Sequence, residues 1–340
     1  MMEYKPHASA SYAFILSMLL FLLLFLTVYS FSIGRYTIHT KEILEYVIFG
    51  KYNDVNLPTL ISNIRLPRIL GAILAGGALS VSGAAYQGLF RNPMVSPDIL
   101  GVSSGAGFGA SLAILFSFSM VGIQLSAFCM GLLSVCLSLS ICKITGSSRN
   151  KILMLVLSGM IVGSTFSALI SLMKYVADSE YKLPDITFWL MGSLNEITMA
   201  EIRFILPVVG ITLIPLYFAS WKLNVLSFGE EEAKSLGVNT RRLRVVIVCC
   251  ASLLTASVIC VTGLIGWVGL IIPHFTRFLI GPNHKWLMPG SFLMGGIFML
   301  AVDDITRSAF ALEIPLGIIT SLIGAPVFFI ILKISSKQTW

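Results

Sequence analysis

Side chains able to do chemistry are few in this 340-residue chain, and their spacing excludes most of the chemistry they would support. Six cysteines, Cys129, Cys136, Cys142, Cys249, Cys250 and Cys260, lie in or at the ends of apolar runs, and none forms a C-x-x-C pair. They read as small buried apolar residues rather than metal or redox ligands. His274 follows Pro273 in a short apolar stretch, where a histidine is more often a hydrogen-bonded structural group than a ligand. No HExxH or Walker A sequence occurs, and no carboxylates are spaced for acid–base work. The sequence therefore offers no catalytic, metal-binding or cofactor-binding residue. Whatever energy drives the protein is not captured by a phosphate loop of its own.

Three polar groupings ask for a role. The first is the charged loop 222–244, where Ser227-Phe228-Gly229-Glu230 reads as a capping box. Glu230, Glu231 and Glu232 then sit at the positive end of a helix dipole and Lys234 near its negative end, while Gly237 suits a left-handed C-cap. A helix of about two to three turns is expected, too short and too charged to span a bilayer. It is either a solvated linker or a rigid knob presenting Ala233, Leu236 and Val238 to a partner.

The second grouping is Arg65-Leu66-Pro67-Arg68, with Pro67 suited to open the apolar helix that follows, together with Arg307 at the end of a later run. These arginines contact phosphate at the membrane surface or form a basic docking surface for an acidic partner. For Arg307, ion pairing with Asp303 and Asp304 one turn back is a further alternative. The third grouping is Gly83 to Asp98, containing Asn92-Pro93-Met94 and Ser96-Pro97-Asp98. Its prolines prevent a regular helix, and irregular backbone at membrane depth is tolerated only where protein buries it or water reaches it. A constriction beside a solute pathway meets that condition. Gly101, Gly105 and Gly109, spaced every four residues, suit close helix contact.

The elements that must position these residues follow from composition. The chain is 56% hydrophobic and only 11% charged, against roughly 25% charged in soluble domains. Its apolar residues fall into ten runs, at 12–33, 69–89, 100–118, 121–143, 151–174, 203–221, 244–262, 266–280, 287–305 and 315–333. A bilayer crossing needs about 20 such residues, so an all-α polytopic membrane protein of about ten transmembrane helices is expected, as one permease-like domain over 1–340. The run at 266–280 is short and holds Pro273. The first run, Ala8 to Gly34, is long enough for a retained helix rather than a signal peptide. Most of the basic excess behind the net charge of +7 falls on the side of the N-terminus, including Lys143, Lys222, Arg241, Arg242 and Arg244. The positive-inside rule then puts both termini in the cytoplasm. No arginine-rich stretch with interleaved aromatics points to nucleic acid.

Taken in order, these motifs resemble the FecCD family, the permease subunits of binding-protein-dependent ABC importers for iron–siderophores, haem and cobalamin. The resemblance runs over nearly the whole chain. It rests on Arg65 to Arg68, Gly83 to Gly101, Gly229 to Gly237, Gly263-Leu264-Ile265-Gly266-Trp267-Val268-Gly269-Leu270 and Pro273-His274 with Arg277. Asp303 with Arg307, Pro315-Leu316-Gly317 and Gly324-Ala325-Pro326 complete the set. It implies a cobalamin-importer-permease-like fold in the inner membrane of a prokaryote, with a second copy or close paralogue completing a central path.

The resemblance also assigns roles. Gly229, Glu230, Glu231, Ala233, Leu236, Gly237 and Val238 would form a coupling helix docked on an ABC ATPase, the subunit that holds ATP and Mg. Arg65, Arg68 and Arg307 would receive acidic residues of an extracytoplasmic solute-binding protein. Asn92, Pro93 and Met94 would help close the cytoplasmic end of the path, with a second gate around Ser148 to Lys151. Trp267 stands where phenylalanine is more usual, and Asp304 doubles an acidic position. A ferric siderophore is the expected cargo, with haem, cobalamin or an oxyanion as alternatives. An ion-coupled secondary transporter would need acidic residues at mid-membrane, and apart from Asp303 and Asp304 the runs offer almost none.

Overall fold

A computed structural model describes residues 7–34, 36, 38–50, 55–145, 151–308 and 313–335. Among these the architecture is helical throughout, without strands. The helices are α1 (His7–Ser32), α2 (Thr40–Phe49), α3 (Leu57–Phe90), α4 (Val102–Leu115), α5 (Met120–Ile144), α6 (Lys151–Val176) and α7 (Lys182–Met191). They continue as α8 (Met199–Leu226), α9 (Glu230–Ser235), α10 (Thr240–Thr262), α11 (Val268–Ile280), α12 (His284–Ser308) and α13 (Leu316–Ser335). Seven of them are long and apolar enough to cross a bilayer, and α4, α11 and α13 are shorter apolar helices. Each of the ten apolar runs in the sequence thus becomes one helix.

Local chemistry explains why the short ones are short. Helix α4 follows Gly101, which takes a left-handed φ of 80° after a 3-10 turn over Pro97–Leu100. A turn through Ser117 then leads to Ser119, whose hydroxyl caps α5 by accepting the Gly122 N–H at 3.3 Å. Helices α10 and α11 are parted by Gly263 (φ 67°) and Trp267 (φ 71°). A positive φ at a bulky residue such as Trp267 is a strained conformation. The indole is held by Phe328 of α13, edge to face at 6.1 Å.

The start of α3 differs from expectation. Pro67 does not open the helix, because α3 begins ten residues earlier, at Leu57, with Pro58 in its first turn. Between Leu60 and Arg65 the helix widens to a π turn in which the Leu66 N–H bonds Ile61 O, five residues back. A proline inside a helix lacks a donor and clashes with the carbonyl four residues before it. The wider turn accommodates that ring.

Helix α3 is the centre of the molecule. Of its most apolar window 89% is buried, against 17% for α1. Helices α8, α10, α11 and α12 pack around it. It meets α12 backbone to backbone where Gly76 and Gly295 face each other, so that a Cβ on either would overlap the other's carbonyl. Against α10 the contact is polar: Ser82 Oγ donates to Ala251 O at 2.9 Å, and Tyr86 and Ser252 share a hydroxyl bond at 2.7 Å. In a bilayer such interhelical bonds contribute about 0.6 kcal/mol each. Gly105 and Gly109 let α4 approach α5 at Met130, Ser134 and Ser126, the close contact expected from their spacing. Phe14, Phe21 and Phe25 of α1 and Ile211 and Phe218 of α8 face outward, as side chains covered by lipid do.

Candidate functional site

The polar groupings gather at the two ends of the α3–α12 pair. At one end, the last turn of α3, the first turn of α12 and the last turn of α8 converge, and α8 leads directly into α9. Helix α9 is six residues long. The expected capping box is absent: Ser227 Oγ turns back to Asn224 O at 2.7 Å, and the N-cap is Gly229, with φ 139° and ψ 159°. That region is open almost only to glycine. At the other terminus Gly237, at φ 80°, completes a two-bond stop. The Val238 N–H reaches Ala233 O and the Gly237 N–H reaches Lys234 O, both at 2.9 Å.

This stop also corrects which side chains of α9 are presented. Ala233 is fully buried and Val238 is 5% exposed, because the C-terminal motif folds Val238 back over Ala233. The exposed surface includes Leu236, Glu231, Glu232 and Lys234, together with Phe228 just before the helix. Phe228 had an overlooked signal, a lone aromatic in a charged loop. Glu230 faces inward and holds α9 to α10, its Oε1 accepting from Thr240 Oγ1 at 3.0 Å and its Oε2 lying 3.5 Å from Arg244. Lys234 Nζ donates to Glu231 at 2.8 Å, and this bond holds the ammonium above the ordinary lysine range.

The segment after α3 is an ordered loop. Arg91 ends the helix in the left-handed region at φ 49°. Asn92 Oδ1 accepts the Met94 N–H at 2.9 Å, making a tight turn around Pro93. His274 Nε2 of α11 contacts Pro93 O at 2.8 Å, so this histidine is a structural clamp on the loop. Gln87 Nε2 donates to Val95 O at 3.2 Å and to Leu270 O at 3.1 Å. Val95 is thereby buried, whereas Asn92 and Met94 remain exposed. The second gate expected around Ser148 falls within 146–150, outside the described residues; Lys151 is the first residue of α6.

At the opposite end the three arginines come together, but inside the protein. Arg65, Arg68 and Arg307 are 3%, 7% and 6% exposed. Arg68 forks onto Asp303 at 2.9 Å and reaches Glu313 at 3.0 Å. Arg307 lies 3.1 Å from Asp303, pairs with Asp304, and donates to Ser30 Oγ at 2.6 Å. Arg65 donates to the carbonyls of Phe31 and Tyr36. Two guanidinium groups thus meet three carboxylates, with Arg65 beside them on backbone carbonyls, in a cluster that ties α1, α3, α12 and the segment before α13. The open docking surface expected of these arginines is therefore not presented: burial at this depth is tolerated because each charge has an internal partner. The local pairing of Arg307 with Asp303 and Asp304 is present. Beside the cluster, Lys182, Asp185, Trp189, Asn195, Glu196 and Glu313 line an outward-opening cavity of about 530 Å³.

Among the described residues no His, Cys, Asp or Glu cluster has the makings of a metal site. What the described residues bring together is a short exposed helix, an ordered loop and a buried ion-pair cluster.

The profile of the FecCD transport family matches residues 22–333. A molybdate import system permease protein of Haemophilus influenzae is 42% identical over 322 residues, covering 94% of this chain and 95% of the relative. A cobalamin import system permease protein of Halobacterium salinarum is 40% identical over 275 residues, covering 81% and 73%. Among solved structures, an ABC transporter described as of metal-chelate type, in an inward-facing conformation, superposes with a TM-score of 0.83 at 40% identity, over 95% of this chain and 99% of that one.

Proposed function

The chain belongs to the FecCD transport family, and from that premise we propose that it carries a ferric siderophore through the membrane, handed over by an extracytoplasmic binding protein and driven by a separate ATPase. It is an ABC importer permease and a multi-pass membrane protein. The observation that supports the ATPase partnership is α9: a short helix fixed at both ends, tied to α10 through Glu230, with Phe228, Glu231 and Leu236 turned outward. A rigid exposed helix between two membrane helices transmits force, whereas a flexible loop would absorb it. On this reading α9 and the Asn92–Met94 loop face the cytoplasm, and two permease copies enclose the path.

The arginine cluster lies on the opposite, outer side. An acidic group of the binding protein reaches Arg68 there by displacing Glu313, whose side chain is 23% exposed, rather than Asp303, which is fully buried. Docking is thus an exchange of carboxylates on Arg68 rather than the filling of an empty basic patch.

A second cargo, molybdate, is favoured by the 42% identity over 94% of the chain to the Haemophilus influenzae permease. Proteoliposomes carrying this chain with its ATPase and binding protein separate the two readings. Radiolabelled ferric siderophore and radiolabelled molybdate are supplied in parallel. ATP-dependent uptake of the iron chelate is the expected result. Uptake of molybdate alone would replace the cargo and keep the class, and uptake without ATP would overturn the class.

A further inference from the structure

Between α9 and the Asn92–Met94 loop runs an unbroken line of short contacts that the transport reading leaves unused. Helix α8 does not stop loosely before α9. The N–H groups of Ser227, Phe228 and Gly229 bond the carbonyls of Leu223, Val225 and Leu226 at 3.2, 3.2 and 3.1 Å, so α9 rides on a turn continuous with α8. Within that last turn stands Asn224. Its Oδ1 accepts both the backbone N–H and Nδ1 of His284, each at 2.9 Å, and its Nδ2 donates to Asn283 Oδ1 at 2.8 Å. An amide oxygen only accepts, so this bond places a proton on His284 Nδ1. The first turn of α12 is thereby gripped by one residue of α8.

His284 is 7% exposed, and the other side of its ring lies on Gly88, where a Cβ would overlap Nε2. Gly88 belongs to the last turn of α3, whose carbonyls hold the loop that follows. Gly88 O accepts the Arg91 N–H at 3.3 Å, and Gln87 O accepts the Asn92 N–H at 3.1 Å. The ring therefore meets bare backbone, not a side chain able to change rotamer. Close-packed contacts of that kind transmit displacement because they have no slack.

We propose that Asn224, His284 and Gly88 form a transmission joint, three positioning residues that convert a displacement of α9 into movement of the loop from Arg91 to Val95. The joint rests on the reading of α9 as the ATPase-docking helix. Coupling between separated sites needs an element whose two arrangements both sites bias. The α8 terminus, held on one side to α9 and on the other to α12 and α3, is such an element.

The test uses the assembled complex of permease, ATPase and binding protein in lipid nanodiscs. The six native cysteines are changed to serine and Met94→Cys serves as reporter. A maleimide is applied before and after trapping with ATP and vanadate. The labelling rate is expected to change by about fivefold or more on trapping. Asn224→Leu and Gly88→Ala are each expected to reduce that response to within about twofold, with ATPase activity retained. Asn224→Asp keeps the acceptor oxygen for His284 and is expected to keep most of the response.

A full response in both Asn224→Leu and Gly88→Ala would overturn the joint. Loss of ATPase assembly along with the response would also overturn it, since the residues would then only hold the fold, and so would a parent complex that does not respond. Leu236→Asp tests the underlying reading separately. If it leaves ATPase association intact, docking at α9 fails, whatever the joint does.

Discussion

Asp303 holds two arginines at once, and that double duty separates it from its neighbours. It is fully buried, 2.9 Å from Arg68 and 3.1 Å from Arg307. Truncation to alanine leaves two guanidinium groups short of a carboxylate, and breaking a buried pair destabilises by about 3–5 kcal/mol. Asp303→Ala is therefore expected to lower the thermal unfolding midpoint in detergent sharply. Glu313→Gln is expected to change stability by no more than about 1 kcal/mol, because its 23% exposed side chain lets water screen the Arg68 contact. The same substitution frees Arg68 and is expected to strengthen binding-protein affinity, measured on the reconstituted permease. An unchanged or weaker affinity would remove the carboxylate exchange. The arginines were legible as a group, since their positions run against the charge trend, but their burial was not. The partners of Arg68 lie 235 and 245 residues away in sequence, and only the packing of α3 against α12 and the segment after it brings them together.

Helices are where the sequence speaks most clearly, and the reason is the solvent. Hydrocarbon forces every backbone group to bond within its own segment, so an uncharged run of bilayer length has little choice but helix, and all ten runs became one. Helices α2 and α7 escaped notice because Lys41, Glu42 and Glu45, and Lys182 and Asp185, interrupt them; both are held by tertiary contacts, α2 through Ile43 against Leu57 and Ile61. The capping box was misplaced for a related reason. Thr198 and Glu201 form one at the start of α8, while the glycine that does open α9 needs no side-chain cap. The Gly76–Gly295 crossing gives a direct test of element packing. Gly295→Ala pushes a methyl into the Gly76 carbonyl, and overpacking costs about 1–3 kcal/mol; Gly210→Ala, where nothing lies in the way, is expected to be neutral in the same unfolding assay. On α9, the raised pKa of Lys234 sets the sign of its pH response. The Glu231 contact is fully present below the ordinary lysine value and is lost only as pH rises through the higher folded one. ATPase affinity is accordingly expected to be flat between about pH 6 and pH 9, and a titration within that range would point to a different group on the docking face.

At the scale of the whole molecule, burial is graded from α3 outward to α1, and local opening follows the same grade. Hydrogen exchange in nanodiscs is expected to protect the α3 segment from Ala72 to Ala85 longest, while the exposed α9 exchanges early. Equal protection of the two would contradict a single core centred on α3. The arginine cluster has a further consequence for biogenesis. Arg68 is made 235 residues before Asp303. At a synthesis rate of about 5–20 residues per second, the arginine waits about 10–50 s for its carboxylate. During that interval Arg68 near the start of α3 has neither of its carboxylates, whereas the partners of Arg65, the carbonyls of Phe31 and Tyr36, are already made. Completion of α12 supplies that carboxylate, so a chain that stops before Asp303 leaves the central helix with an arginine whose buried partner was never made.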